Sequence, residues 1–393
     1  MSRVVVWRSG LLAPSETFVR SQGDALTRWQ VRYLGAVKVP SALARDDDVI
    51  VFPPGADERF LRLRVTGRSP RLRRMLAALG PDLVHAHFGG DGWLVSAAAE
   101  ELGVPLIVTV HGHDVTRQPY AKGPKGVRHR RNLRTVFRRA AVILAVSEHI
   151  RRRAIEQGAD PAKVRVHHTG VPIPPPPRAE KEWDVVFAGR FVPKKGLDDL
   201  LAALATLRDL EPRVLFVGDG PLAAAIRTRA AGLGVPVTFA GALDHASASA
   251  AMAAAKVFAS PSRTAPDGDA EGLPTTVLEA AALGVPVVST RHSGIPEAVV
   301  HGTTGLLGAE GDREALAAHL RVLLTGDELR ERLGRQAREH TAGHFDLRRR
   351  TAALERLYDD VAGAAVTGGA AAGAGPRVPR PRTPAPPAPG PLR

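Results

Sequence analysis

Short, continuous apolar runs recur along the chain, and helix-length stretches separate several of them. "RVVVW" (3–7), "DVIVF" (48–52), "DLVHAHF" (82–88), "PLIVTV" (105–110) and "AVILAVS" (141–147) read as strands buried on both faces, with "VRVHHTGV" (164–171) as a sixth. Between them lie helical patterns such as "GWLVSAAAEELG". Unbroken apolar strands alternating with helices predict a parallel, doubly wound sheet. "PIPPPP" (172–177) then interrupts the pattern, because consecutive prolines cannot continue a helix or a central strand. The alternation restarts with "WDVVFAG" (183–189), "RVLFVGDG" (213–220), "PVTFAG" (236–241), "AKVFASPS" (255–262) and "VPVVST" (285–290).

The chain is therefore expected to be α/β, with two parallel-sheet domains at 1–171 and 183–345 joined by a stiff linker at 172–182. A helix at 346–362 is expected to pack back toward the first domain. The Ala/Gly/Pro-rich basic end, 363–393, is expected to be disordered. A length of 393 residues suffices for two such cores. Ligands of doubly wound sheets bind outside the carboxyl ends of the strands, which places the site in a cleft between the domains.

Composition narrows the chemistry. The absence of cysteine excludes disulfides, thiolate zinc sites and cysteine nucleophiles. "MSRVVVWRSG" is too short an apolar run for a signal peptide, and no stretch approaches the roughly 20 apolar residues that span a bilayer. The expected address is the cytoplasm or the inner face of the plasma membrane. The net charge of +14 is concentrated in the tail and in "ERFLRLRVTGRSPRLRRM" and "GPKGVRHRRNLRTVFRRA". Such surface attracts nucleic acid, anionic lipid or phosphorylated substrates, and charge alone does not separate them. No recognised nucleic-acid module accompanies the arginines, so an anionic membrane face is the expected partner.

The loops at the strand ends carry the candidate site. After "WDVVFAG", Gly189, Arg190 and Lys195 form a basic, glycine-containing turn suited to a diphosphate. In "EGLPTTVLE" (271–279), Pro274 suits a first helical position, so Gly272 and Leu273 form the helix entrance. Their amides, with those of Thr275 just beyond, face outward toward an anion. Glu271 and Glu279 bracket this entrance; eight residues at about 1.5 Å each span ~12 Å, the separation of the two sugars in a nucleotide sugar. Carboxylates repel phosphates and accept hydroxyl hydrogen bonds, so one glutamate per sugar ring, with cations between, is chemically coherent.

"EGLPTTVLE", "GRFVPKKG" and "HSGIPE" (292–297) together resemble the retaining glycosyltransferases of family 4, over residues 1 to about 360. The resemblance implies the GT-B fold of two Rossmann-like domains facing a cleft. It also implies a nucleotide diphosphosugar as co-substrate, a glycan or lipid-linked acceptor, and no metal or other cofactor. By it, Glu279 would bind the ribose, Glu271 the transferred sugar, and Arg190 and Lys195 the diphosphate. His111 in "HGHD" would lie against the donor sugar with its carbonyl toward the reacting carbon, and Asp114 would orient that loop. "SETFV" (15–19) resembles a variant found in transferases that build exopolysaccharides; Ser15 there equally suits a helix cap. Gly10, in the loop before it, would approach the sugars closely, although the Gly-Gly pair common at this place is reduced to one glycine.

Two other patterns point elsewhere. His85 and His87 in "HAHF", with His111, His113 and Asp114, outline a metal site that the family pattern makes unnecessary. Asp46 to Asp48 in "RDDDVIVF" mimic a D-x-D metal motif but precede their strand, so they are expected to form a solvated turn. The competing functions are a glycoside hydrolase using the two glutamates, a sugar-nucleotide epimerase of the same architecture, and a basic membrane- or nucleic-acid-binding protein.

Overall fold

The computed structural model describes residues 1–176 and 179–370. The first sheet contains β1 (Ser2–Leu11), β2 (Trp29–Lys38), β3 (Val49–Ile50), β4 (Leu83–His87), β5 (Leu106–Val110), β6 (Val142–Ala145) and β7 (Val164–Val166), in the order β3-β2-β1-β4-β5-β6-β7. The second contains β8 (Trp183–Ala188), β9 (Val214–Val217), β10 (Val237–Gly241), β11 (Ala255–Ser260), β12 (Val287–Thr290) and β13 (Gly305–Gly308), in the order β10-β9-β8-β11-β12-β13. Every adjacent pair is parallel, as in Val4↔Val31, Val4↔Leu83 and Val185↔Val214. The architecture is the two-domain, doubly wound α/β arrangement expected from the sequence.

The central strands are apolar because helices cover both faces. Val4, Val5 and Trp7 of β1 and Val185, Val186 and Phe187 of β8 have no exposed surface. Burying each such side chain contributes about 1.5–3 kcal/mol, which makes these strands the spine of each domain. Strand order reverses beside β1 in one sheet and beside β8 in the other. These are the topological switch points, and their carboxyl ends open toward the cleft.

Two strands were not legible in the sequence. β2, "WQVRYLGAVK", mixes Gln30, Arg32 and Lys38 into its apolar pattern, because only the two-residue β3 separates it from the sheet edge and its first half is partly exposed. β13, "GLLG", is four residues between glycines at the opposite edge. Expected strand 164–171 stops at Val166, and Val171 instead makes an isolated bridge with Asp346.

That bridge redirects the end of the chain. The Val171 amide donates to Phe345 O (2.8 Å) and the Leu347 amide to Val171 O (2.9 Å). The helix Leu347–Ala370 then runs along the first domain, burying Leu354, Leu357 and Tyr358 with Val4, Trp29 and Ile107. Its Glu355 carboxylate accepts the amides of Thr27 (2.7 Å) and Arg28 (2.6 Å). The helix continues past Gly363, where a disordered tail was expected to begin; residues 371–393 of that tail lie outside the described residues. No helix among the described residues is long and apolar enough to cross a membrane.

Candidate active site

A cleft of ≈ 810 Å³ lies between the carboxyl ends of the two sheets. The first domain lines it with Arg8 near the carboxyl end of β1, Phe88 and Gly90 after β4, and His111 and Asp114 after β5. The second contributes Gly189, Arg190, Lys194 and Lys195 after β8, and the segment from Glu271 to Thr276 that follows β11. Of the residues expected to form the site, His111, Gly189, Arg190, Lys195, Glu271, Gly272, Leu273, Pro274 and Thr275 thus share one cavity, although they come from opposite halves of the chain.

Glu271 is nearly enclosed, and Lys195 Nζ lies 2.8 Å from its Oε1 with Lys194 Nζ 3.7 Å from its Oε2. Burial pushes this carboxyl up, but Lys195 and Lys194 overcome it and hold the group down at about 2. Glu271 is therefore an anion at any physiological pH. Its main chain is fixed as firmly: the Glu271 amide donates to His292 Nε2 (3.0 Å), and the Ser293 hydroxyl donates to Glu271 O. With Nε2 accepting, His292 Nδ1 carries the proton and donates to Glu310 at 2.6 Å. Residues 292–293 of "HSGIPE" are thus the scaffold of the Glu271 turn. Glu297 of the same segment accepts the Glu148 amide (2.9 Å) and His168 Nε2 (2.8 Å), tying the second domain to the first.

The helix after Glu271 spans Thr275–Ala282, so Pro274 is its N-cap residue rather than its first helical residue. Its φ of −69° and ψ of 116° are those of an extended residue that launches the helix. Thr275 and Thr276 line the cleft at the helix entrance, and Thr276 Oγ1 is buried with no partner among the described residues. Glu279 is half-buried and lies outside the cleft lining, one turn beyond Thr275 on the same helix face. Burial raises its carboxyl, His245 opposing only weakly, and no hydrogen bond reaches it among the described residues.

The "HGHD" turn faces this segment. Asp114 is buried, and its carboxylate accepts the amides of Gly89 (2.8 Å), His111 (3.1 Å) and Gly112 (3.0 Å), which holds the turn in shape. The His111 ring packs between Phe18 and Phe88, with centroids 4.9 and 4.5 Å away, and its Nε2 meets His87 Nδ1 at 3.1 Å. Burial, reinforced by Arg8 and His85, drives the His111 imidazole well below its ordinary pKa, so it is neutral. The two turns touch: a Cβ at Gly272 would fall 1.9 Å from the His111 carbonyl oxygen, and one at Gly112 would fall 3.0 Å from Ala270 O. Glycine is required at both by close approach, and the φ of +135° at Gly112 adds a second reason.

Several placements depart from the sequence reading. Gly10 lies within β1 and lines a neighbouring pocket rather than the cleft, because the strand extends through Leu11. Ser15 is exposed at the cleft edge and caps nothing; Glu16 is the N-cap residue of the helix Thr17–Asp24. His85 and His87 stack on each other at 4.5 Å, and His85 bonds Tyr358 (2.6 Å) and Thr109 (2.7 Å). Asp48 is not solvated: it pairs with Arg20 at 2.7 Å, with 5% of either side chain exposed. Arg190 is exposed on the cleft wall.

The sequence reading missed Arg8, Glu16, Asp91, Phe18 and Lys194. Arg8 is buried, bonded to both Glu16 and Asp91, and its guanidinium sits 4.3 Å from the Phe88 centroid. Its position near the carboxyl end of a central strand was the available signal. The cleft thus brings together an ionised carboxylate beside two lysines, an open helix entrance and an aromatic-histidine wall, groups chemically suited to hydroxyls and to anions.

Comparison with known proteins agrees with this geometry. Residues 15–173 match the family model Glycosyltransferase Family 4, and residues 173–340 match Glycosyl transferases group 1. An amylovoran biosynthesis glycosyltransferase of Erwinia amylovora is 31% identical over 259 residues, 63% of this chain and 62% of that protein. A GDP-mannose-dependent alpha-(1-6)-phosphatidylinositol monomannoside mannosyltransferase of Mycolicibacterium smegmatis is 30% identical over 373 residues, 89% of this chain and 94% of its own length. HepE of Anabaena, solved in complex with UDP, shares the fold at a TM-score of 0.74 and 19% identity, covering 92% of this chain and 100% of its own. With its motifs, its two-domain fold, two family models that together span residues 15–340 and a 30% identical relative covered over 94% of its length, the chain belongs to the family 4 glycosyltransferases.

Proposed function

We propose that the cleft transfers a sugar from a nucleoside diphosphate sugar to an acceptor hydroxyl with retained anomeric configuration and without a metal ion. The observation that carries the reading is the Glu271 carboxylate, held ionised against Lys195 beside an open helix entrance. Lys195, Arg190 and the amides near Thr275 neutralise the diphosphate, while Glu271 accepts hydroxyl hydrogen bonds from the transferred sugar. Glu279 receives the ribose hydroxyls. His111 lies against the sugar.

In the reaction the bond from the anomeric carbon to the diphosphate oxygen breaks, and its electron pair leaves with the phosphate. The acceptor oxygen bonds to the same face of that carbon, and its proton passes to the departing phosphate oxygen. Growing negative charge on the leaving group is stabilised by Lys195, Arg190 and the helix entrance. The front-face route is supported by the state of the acids that line the cleft. Glu16 and Asp91 pair with Arg8, Asp114 holds three amides, Asp267 pairs with Arg117, and Asp269 and Glu271 pair with Lys194 and Lys195. Each of these carboxylates is thus oriented by a cation or by main-chain amides rather than standing alone at the reacting carbon.

The relatives support cell-envelope glycans or glycolipids as the pathway; the arginine-rich surface of the first domain is the reason to place it against the anionic inner face of the membrane. Incubation with UDP-glucose or GDP-mannose, with and without acceptor, tests the reading by proton NMR of the new linkage. Acceptor-dependent product with the donor's anomeric configuration is expected. An inverted anomer, or cleavage of ordinary glycosides, refutes it.

A further inference from the structure

Next to the cleft, and sharing Gly90, Asp91, Asp114 and Gln118 with it, the first domain holds a second pocket of ≈ 340 Å³. Phe60, Trp93 and Leu133 give it apolar walls, and Gly10 and Gly90 leave part of its floor without side chains. Arg64 and Arg128 enter it from different helices, Asp57–Thr66 and Gly123–Arg139, and His129 lies beside Arg128. Neither arginine has an acidic partner among the described residues; Arg64 lies 5.8 Å from the Phe60 ring centroid. The pocket's acids are already used: Asp91 is bound by Arg8 and by the Ser9 amide at 2.7 Å, and Asp114 by three amides. Asn132 is used as well: with its amide turned so that oxygen faces Trp93 Nε1 and nitrogen faces Arg128 O, both contacts are 3.3 Å and both are satisfied.

A pocket with uncommitted guanidinium groups, no free carboxylate and aromatic walls selects an anion attached to a ring. We propose that it binds an acceptor carrying a phosphate ester close to the hydroxyl that is glycosylated. The proposal rests on the transferase reading above and names the acceptor class for it. The two arginines supply a fork of donors to phosphate oxygens, better matched to a phosphate than to a neutral sugar. Phe60 and Trp93 cover the apolar face of the ring, and the wall shared with the cleft lets a hydroxyl reach the donor sugar.

The full chain is tested by thermal shift and calorimetry with myo-inositol 1-phosphate and glucose 6-phosphate, using inositol and glucose as neutral controls. Vesicles of phosphatidylinositol in phosphatidylcholine form a separate arm. UDP binding is measured in parallel. The phosphorylated probes, or the anionic vesicles if the phosphate is a lipid headgroup, are expected to bind. Arg64→Gln/Arg128→Gln should weaken that binding by roughly tenfold or more while UDP binding is kept. Arg131→Gln/Arg134→Gln, which removes two exposed charges from the same helix outside the pocket lining, should leave soluble-probe binding unchanged. The proposal is overturned if neutral and phosphorylated probes bind alike, if neither arm binds while UDP does, or if both double variants weaken binding equally. Probe binding without any UDP or GDP binding would instead count against the donor-site reading while leaving the pocket intact.

Discussion

Replacing Lys195 with Met removes the ammonium 2.8 Å from Glu271 while keeping most of the side chain's volume. Glu271 then retains only the more distant Lys194, 3.7 Å away, as an ion-pair partner. In the folded wild type the carboxyl titrates at about 2, against an ordinary value of 4.5. A depressed folded pKa contributes stability that is complete above the unfolded value and is lost as pH falls through the folded one. At about 1.4 kcal/mol per pKa unit the whole contribution is ~3 kcal/mol, of which ~1.4 kcal/mol disappears between pH 6 and pH 3.5. Without Lys195 the desolvation of Glu271 is poorly opposed and its pKa rises, which flattens that slope. Lys195→Met should therefore be less stable by ~1–3 kcal/mol at pH 7, and the gap should shrink as pH falls toward 3.5. Urea unfolding of both proteins at half-unit pH steps measures this. A destabilisation of equal size at every pH would mean that only packing was lost, and overlapping curves would mean that the pair contributes nothing. The same variant should lower kcat as well as donor affinity, since the charge it neutralises grows as the glycosidic bond breaks.

Glu279→Gln should mainly raise KM for the donor and reduce kcat less, because ribose contacts are equal in ground and transition states; steady-state kinetics showing the reverse split would refute the assignment. Asp114→Asn leaves one oxygen for three amides and turns an NH₂ toward one of them, so it should destabilise the fold by ~1–3 kcal/mol and lower kcat through a displaced His111. Denaturant unfolding together with kinetics checks both effects. Turnover should persist in EDTA; loss on chelation with recovery on adding manganese or zinc would reopen the histidine cluster as a metal site.

How much was legible varied with the locality of the signal. The apolar runs announced β1, β4, β5, β6 and the strands from β8 to β12, since a strand buried on both faces has little room for polar residues. β2 escaped because, next to the two-residue edge strand β3, its partly exposed first half admits Gln30 and Arg32, and β13 because its edge position admits the glycines around Leu306–Leu307. "EGLPTTVLE" could be recognised because its functional groups lie on one turn and one helix, with only the helix start displaced by a residue.

What the sequence by itself determined was therefore the α/β class, the two-domain division and the identity of the local motifs, each written within a few consecutive residues. The tertiary structure decided which motifs meet and in what charge state. Glu271 is an anion because Lys195, distant in sequence, arrives through the pairing of β8 with β11. His111 is neutral because Arg8 from β1, Phe18 from the helix Thr17–Asp24 and Phe88 from the turn after β4 enclose it. Gly10 lines the adjoining pocket because β1 continues through it. Burial and ion pairing depend on distances in space between segments whose separation along the chain carries no such information, so protonation and partnership became readable only when the two sheets were placed face to face.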